Sequence, residues 1–312
     1  MKKPTDTNTP KASRMKILIT GANGLLGQKL ITLLQQQPDV QLVATAHRPL
    51  VFPLLKGKFQ LLDISNQEQV NEVLAHTKPD VIINTAAMTN VDRCETEQEA
   101  CWQANVTSVQ YLIEACQQHH IHLIHVSTDF IFDGKEGPLD ETAVPAPVNF
   151  YGESKLAAEK LIQESSISWC ILRTVLVYGV STDMSRSNIV LWVKKSLEEG
   201  KTINVVNDQW RTPTLAEDLA MGCWLAAKKK STGIYHISGK DFLSPYDIAI
   251  KTARFFKLNE SLINPTDSTQ FKQPARRPLK TGFILDKAIR DLGYAPKSFE
   301  EGLAVLASQL NA

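Results

Sequence analysis

The stretch Thr20-Gly21-Ala22-Asn23-Gly24-Leu25-Leu26-Gly27 decides how this chain folds. It follows a short apolar run, Lys16-Ile17-Leu18-Ile19-Thr20, whose length and glycine flank read as a buried parallel strand. It opens into a helical pattern over 25–37, with Leu26, Leu30, Leu33 and Leu34 at helical spacing and Pro38 as the stop. Glycines at 21, 24 and 27 meet three needs of a turn that seats a pyrophosphate. The turn needs a residue tolerant of positive φ, the backbone must approach the phosphates, and the helix must pack near the strand. N–H groups and the dipole at the helix start then hold the anion.

The same alternation continues outward. Strand-like runs are expected at 40–46, 59–62, 81–84, 123–127, 169–173 and 234–237, with helices at 67–75, 97–118 and 154–164 between them. This pattern predicts an α/β fold: a Rossmann-type, doubly wound parallel sheet of about seven strands, with helices on both faces. After Tyr178 the pattern loosens, and 180–188 and the region from 240 onward read as helical or irregular and proline-bearing. Because 234–237 still reads as a core strand, a smaller mixed C-terminal substrate lobe is expected from separate insertions. The boundaries drawn are 15–179 and 213–238 for the dinucleotide-binding domain and 180–212 and 239–312 for the substrate lobe, with 1–14 a disordered tail.

Bulk properties exclude several function classes. The 312 residues are 43% hydrophobic and 21% charged, ordinary for a soluble enzyme, and the net charge of +1 provides no global field for nucleic acid. An anionic ligand must therefore be held by local groups. The basic run Lys228-Lys229-Lys230 reads as a solvated helix end. Five scattered cysteines without a CxxC spacing suit reduced thiols in a cytoplasmic protein. No apolar run approaches the roughly 20 residues of a membrane span, and residues 1–13 lack the apolar stretch of a signal peptide. His119, His120, His122 and His125 straddle a helix end and a strand, so their side chains diverge, and no metal is expected.

The cofactor is read at the end of the second strand. Thr45-Ala46-His47-Arg48 offers no carboxylate for a ribose 2′-hydroxyl but a cation for a 2′-phosphate. NADPH is expected over NADH, which stays open, with Arg48 and His47 at the phosphate. Asp63 and Ile64, at the end of the third strand, are placed to meet the adenine. Thr85, Ala86 and Ala87 end the fourth with small side chains where bulk would block the cofactor.

The chemistry is read from Tyr151-Gly152-Glu153-Ser154-Lys155, which sets a phenol and an ammonium on one helix face. Carbonyl reduction needs a proton donor, and a nearby ammonium favours the phenolate form of a tyrosine that otherwise titrates near about 10. Val126-Ser127-Thr128-Asp129 closes the fifth strand at the edge where open α/β sheets bind ligands. The Thr128 hydroxyl, supported by Ser127, is expected on the substrate carbonyl. Arg211, Arg276 and Arg277 are candidates for a diphosphate, because guanidinium forks bind phosphate bidentately.

The glycine turn, Ser127-Thr128-Asp129-Phe130-Ile131-Phe132-Asp133-Gly134 and Asn149-Phe150-Tyr151-Gly152-Glu153-Ser154-Lys155 together resemble the extended short-chain dehydrogenase/reductases. Asn84 to Asp92, Thr212-Pro213-Thr214 and Ala275-Arg276-Arg277-Pro278 narrow the resemblance to the dTDP-4-dehydrorhamnose reductase family. It runs from about Lys16 to the C-terminus. It implies reduction of the 4-keto group of dTDP-4-dehydro-6-deoxy-mannose to dTDP-rhamnose with NADPH or NADH. It also implies a Thr128–Tyr151–Lys155 triad and Asn105 supporting the lysine through water. Tyr151 and Lys155 would also touch the cofactor beside Gly21, Asn23, Gly24, Leu25, Leu26 and Gly27, and Met88, Thr89, Asp129 and Phe130 would line the sugar pocket. The chain departs from the family at Val175-Leu176, where a serine–tryptophan pair is usual, and at Gln209-Trp210-Arg211, where glycine and alanine are.

Two other readings stay open. A sugar-nucleotide dehydratase or epimerase would carry a glutamate after Asp129, and Phe130 stands there. A regulatory subunit of methionine adenosyltransferase resembles the same family and holds the dinucleotide without known sugar turnover. The oligomeric state, monomer or homodimer, is open as well.

Overall fold

Strands that are apolar on both faces must be covered on both, and that requirement organises this chain. The computed structural model describes residues 14–182 and 188–311. The tail expected at 1–14 lies outside them except for Arg14, as do residues 183–187 of the irregular stretch. The chain begins with β1 (Met15–Thr20), α1 (Leu25–Leu34), β2 (Val40–Ala46), β3 (Lys58–Leu61), α2 (Gln67–Thr77) and β4 (Val81–Asn84). Next come α3 (Val91–Thr96), α4 (Gln98–Trp102), α5 (Ser108–His119), β5 (His122–Thr128), α6 (Phe150–Glu164), β6 (Trp169–Thr174) and β7 (Val177–Tyr178). Then follow α7 (Ile189–Glu198), β8 (Ile203–Val206), β9 (Thr214–Leu215), α8 (Ala216–Lys229) and β10 (Gly233–His236). The last elements are α9 (Pro245–Phe255), β11 (Ile263–Thr266), α10 (Asp286–Leu292) and α11 (Phe299–Leu310).

Seven parallel strands form one sheet in the order β10-β6-β5-β4-β1-β2-β3. On one face Leu30 and Leu34 of α1 pack with Leu219 and Trp224 of α8; on the other Val70 and Leu74 of α2 pack with Leu112 of α5 and Ile162 of α6. The chain leaves β1 toward β2 and β3, then returns to continue from β4 on the opposite side. A crevice therefore opens beyond the C-terminal ends of β1 and β4, where such sheets bind ligands.

Local departures from the expected elements have physical causes. The single helix expected over 97–118 is broken into α4 and α5 by a π-helical turn, Gln103–Thr107. The helix expected from 154 starts at Phe150, because Asn149 caps it by accepting from Gly152 N–H. Gly152 and the neighbouring aromatic residues have low helix propensity, which hid that first turn. The basic run ends α8 as expected, with Lys230 left-handed at the C-cap.

The smaller lobe centres on the parallel pair β8–β11, covered by α7 and α9 through Val193, Leu197, Ala249 and Ala253. Residues 239–312 do not all belong to it. Leu285, Ala288, Leu292 and Tyr294, from α10 and its flanks, are part of the main core, beside Trp224 and Tyr235. Among the described residues no helix is long and apolar enough to cross a membrane.

A Cβ at Gly27 would lie 2.3 Å from Gly21 O and 2.9 Å from Ala22 Cα, so α1 sits against the turn closer than any side chain allows. Gly27→Ala is expected to destabilise the fold by about 1–3 kcal/mol in urea unfolding, the usual cost of overpacking. An unchanged midpoint would contradict this packing.

Candidate active site

At the crevice Gly21 has φ +69°, and a Cβ there would come within 2.9 Å of both Ala86 N and Thr85 Oγ1. Conformation and space both demand glycine. Thr85 Oγ1 donates to Thr20 O at 2.7 Å, while Thr20 Oγ1 accepts from Thr85 N and Ala86 N at 3.2 and 3.3 Å. The ends of β1 and β4 are thereby locked together. The start of α1 has Gly24 at the N-cap with no side-chain cap and no acid in its first turn, so nothing there competes with an anion for its N–H groups. This cradle of small residues and unopposed donors fits a dinucleotide pyrophosphate.

Asn23 donates to Pro49 O at 2.9 Å and accepts from Val51 N at 3.1 Å, tying the turn to the loop after β2. That loop carries His47 and Arg48, both exposed at the strand end. Asp63 Oδ1 accepts from Ser65 N and Oγ at 2.9 and 2.6 Å, so the carboxylate is drawn into its own turn, and Ile64 is buried.

Thr128, Tyr151 and Lys155 come together at the edge formed by β5 and α6. The Thr128 hydroxyl lies beside the Tyr151 phenol, donates to Asp129 Oδ1 at 3.1 Å and accepts from Phe130 N at 3.2 Å. Phe130 meets the Tyr151 ring edge-on at 5.7 Å. Tyr151 is only 8% exposed. Burial pushes its pKa up strongly, the Thr128 hydroxyl opposes this, and the Asp129 carboxylate adds to the rise. The expected lowering of the phenol by Lys155 is therefore not found. Lys155 Nζ points instead to β5, donating to Val126 O at 2.8 Å and lying 2.9 Å from His125 Nε2. Burial lowers the Lys155 pKa to about 8, opposed by Glu159 and Cys101.

Several expected roles change. The Asn105 amide clamps the Met88 backbone, donating to its O at 3.1 Å while its Oδ1 accepts from its N at 2.8 Å. Asn105 Nδ2 also reaches Ser154 Oγ at 3.0 Å, so it touches the lysine's helix through Ser154, and its place in the π-helical turn turns it inward. Met88 and Thr89 sit on the segment just after β4. Among the described residues Ser127 Oγ, which is buried, meets no hydrogen-bond partner.

Arg211 does not take the expected place on a phosphate. Its guanidinium is buried, donates to Trp210 O, Pro278 O and Leu279 O, and lies 3.7 Å from Asp129 Oδ2. It pins the 278–279 backbone rather than facing a phosphate. Burial in turn raises the Asp129 pKa, with Arg211, Thr281 and Thr128 opposing. Arg277 is bidentate to Asp92 at 2.7 Å and donates to Ala275 O. Arg276 is exposed and lines, with Gln209, Phe271 and Arg277, a cavity of about 350 Å³.

Sequence reasoning weighed His125 only as a metal ligand and passed over Cys94 and Cys101, which pack against Tyr151. Among the described residues no group of three or more His, Cys, Asp or Glu is arranged to hold a metal. For the cofactor phosphate, Arg48→Ala is expected to weaken NADPH binding about tenfold, the loss of one charged hydrogen bond, and to leave NADH binding within about twofold. Titration of both cofactors checks this, and equal losses would contradict the assignment.

Residues 15–312 match the family model described as the RmlD substrate binding domain. A probable low-salt glycan biosynthesis reductase of Haloferax volcanii is 31% identical over 94% of this chain and 97% of its own length. A dTDP-4-dehydrorhamnose reductase of Aggregatibacter actinomycetemcomitans is 33% identical over 92% of this chain and 97% of its own. Methionine adenosyltransferase 2 subunit beta of Rattus norvegicus is 30% identical over 81% of this chain and 76% of its own. Among solved structures, a dTDP-4-dehydrorhamnose reductase from Clostridium acetobutylicum superposes with a TM-score of 0.86 at 29% identity, covering 96% of this chain and all of that one. The Bacillus anthracis reductase in complex with NADP gives 0.82 at 28%, covering 95% and 100%. A family match over residues 15–312 and a Rossmann-type sheet agree, and the chain belongs to the RmlD family of extended short-chain dehydrogenase/reductases.

Proposed function

We propose that this protein reduces the 4-keto group of a nucleotide-diphospho-sugar, dTDP-4-dehydrorhamnose to dTDP-rhamnose, with NADPH. The observation that carries this reading is the buried Tyr151 phenol near Thr128 at the end of β5, on the same edge of the sheet as the glycine turn after β1. When bound, the dinucleotide supplies the hydride. Thr128 and Tyr151 receive the carbonyl oxygen, and Tyr151 gives it the proton that completes the alcohol. Burial keeps Tyr151 protonated, the form a reduction needs. Lys155, an ammonium below its pKa and turned to β5, would hold the nicotinamide ribose beside Tyr151. Arg276, exposed in the lining of the 350 Å³ cavity, is the arginine we assign to the diphosphate. The five cysteines are buried free thiols, which supports a reducing, cytoplasmic setting.

The second reading, a dinucleotide-binding regulatory subunit, is favoured by the likeness to methionine adenosyltransferase 2 subunit beta. The intact Thr128, Tyr151 and Lys155 favour turnover instead. NADPH oxidation against a panel of 4-keto sugar nucleotides separates the two, and tight NADPH binding with no oxidation would select the scaffold. With turnover present, Tyr151→Phe is expected to lower kcat by about a hundredfold or more, the usual weight of a general acid.

The pH profile adds a signed test. Catalysis needs the Lys155 ammonium, whose pKa burial lowers to about 8, so kcat is expected to fall as pH rises through about 8. Stability from this group moves the other way: the folded state loses the proton first, so its contribution rises from pH about 8 toward the unfolded lysine value near about 10.4. An alkaline loss of kcat that tracks unfolding would contradict the assignment.

A further inference from the structure

Thr20, Asn84 and His125 stand in register across β1, β4 and β5, all buried, in a sheet otherwise lined here by Ile17, Ile19, Ile83 and Ile124. Thr20 Oγ1 lies 2.5 Å from Asn84 Oδ1, Asn84 Nδ2 lies 3.1 Å from His125 Nδ1, and His125 Nε2 lies 2.9 Å from Lys155 Nζ. A row of touching polar side chains thus crosses the middle of the sheet, from the residue before Gly21 to the active-site amine. Such a row costs stability unless every member is satisfied, and an apolar side chain at each position would serve the sheet better. Its far end accepts from the backbone N–H groups of Thr85 and Ala86, so it is anchored to the cradle itself.

We propose that His125 is the positioning residue of Lys155: its neutral imidazole accepts from the ammonium in place of water, and Asn84 and Thr20 hold that imidazole in line with the glycine turn. This rests on the reading of Tyr151 and Lys155 as reductase machinery. Burial holds His125 well below the usual imidazole range, with Lys155 adding to the effect, so it stays neutral. A neutral imidazole has one N–H. With the Lys155 ammonium donating to Nε2, the proton sits on Nδ1 and Asn84 presents its oxygen there. This turns the Asn84 amide nitrogen to Thr20 Oγ1, so that 2.5 Å contact must lengthen by a few tenths of an ångström to become an N–H···O hydrogen bond. The titratable and charged groups facing Lys155 are His125 from β5, Glu159 from α6 and Cys101 from α4, and Glu159 is held by Arg173 of β6 at 2.7 Å. Without His125, Val126 O is left as the acceptor of the buried ammonium.

The test titrates the Lys155 amine by nitrogen-15 lysine NMR in the cofactor-free full chain, a readout that needs no turnover. In His125→Leu, similar in bulk but without an acceptor, the Lys155 titration is expected about one unit or more lower, roughly a tenfold weaker proton affinity. The alkaline limb of kcat should move down with it, while NADPH binding stays within about threefold. His125→Gln, whose Oε1 stands where Nε2 was, should restore most of the titration. A Lys155 titration unchanged or raised in His125→Leu, or no recovery in His125→Gln, overturns the proposal. Should His125→Leu not fold, Asn84→Ala loosens the imidazole from its other side and should shift the titration the same way, and no shift there overturns it equally. Wild-type protein that fails to oxidise NADPH with any 4-keto sugar nucleotide would sink the reductase reading and leave this pairing to stand or fall on the NMR result.

Discussion

A lysine side chain that is 2% exposed is the constraint from which the rest of this site follows. An ammonium in a dry interior is expensive unless its donors are matched, and here α6 delivers Nζ to one carbonyl and one imidazole of β5. That demand fixes the distance between helix and strand, and with it the place of Tyr151, one turn earlier on the same face. Thr128 then ends β5 where its hydroxyl meets the phenol. Thr128, Tyr151 and Lys155 thus join one strand end to one helix start, held in register by a buried cation.

The surroundings keep this geometry rigid. Asp129 is wedged among Thr128, Thr281 and Arg211, and Arg211 in turn fastens the 278–279 segment through backbone carbonyls. Arg277 and Asp92 join the same segment to the start of α3. Arginines that read as phosphate ligands are thus part of the framework, and the cavity wall carries Arg276 as the exposed one of the three. A buried ion pair such as Arg211–Asp129 seldom adds much stability, but removing one partner leaves an uncompensated charge. The value of Arg211 and Arg277 here is in fixing where the 275–279 segment meets β5 and α3.

The fold was legible because its signals are local: a glycine turn between an apolar strand and a helix, then strands and helices in alternation. The Tyr151–Lys155 pair was legible for the same reason, four residues on one helix face. What escaped depends on partners far apart in sequence. Nothing near Arg211 reveals that its donors meet carbonyls 67 and 68 residues away. Nothing near His125 announces Lys155, 30 residues on, or Asn84, 41 residues back. The direction of the Tyr151 shift was misjudged because burial, invisible in a motif, outweighs the lysine, whose amine turns to β5. The start of α6 was missed because the Asn149 cap overrides the weak helix propensity of Gly152.

The central claim, that the phenol of Tyr151 stands where it can protonate the carbonyl oxygen of a bound 4-keto sugar nucleotide, is most directly tested by a crystal structure of the chain with NADP and such a substrate or its product. The expected result is the Tyr151 hydroxyl and the Thr128 hydroxyl both within hydrogen-bonding distance of the sugar 4-oxygen, on the side where the nicotinamide ring lies. A sugar 4-oxygen bound elsewhere, with Tyr151 still sealed against Phe130 and Thr128, would contradict it.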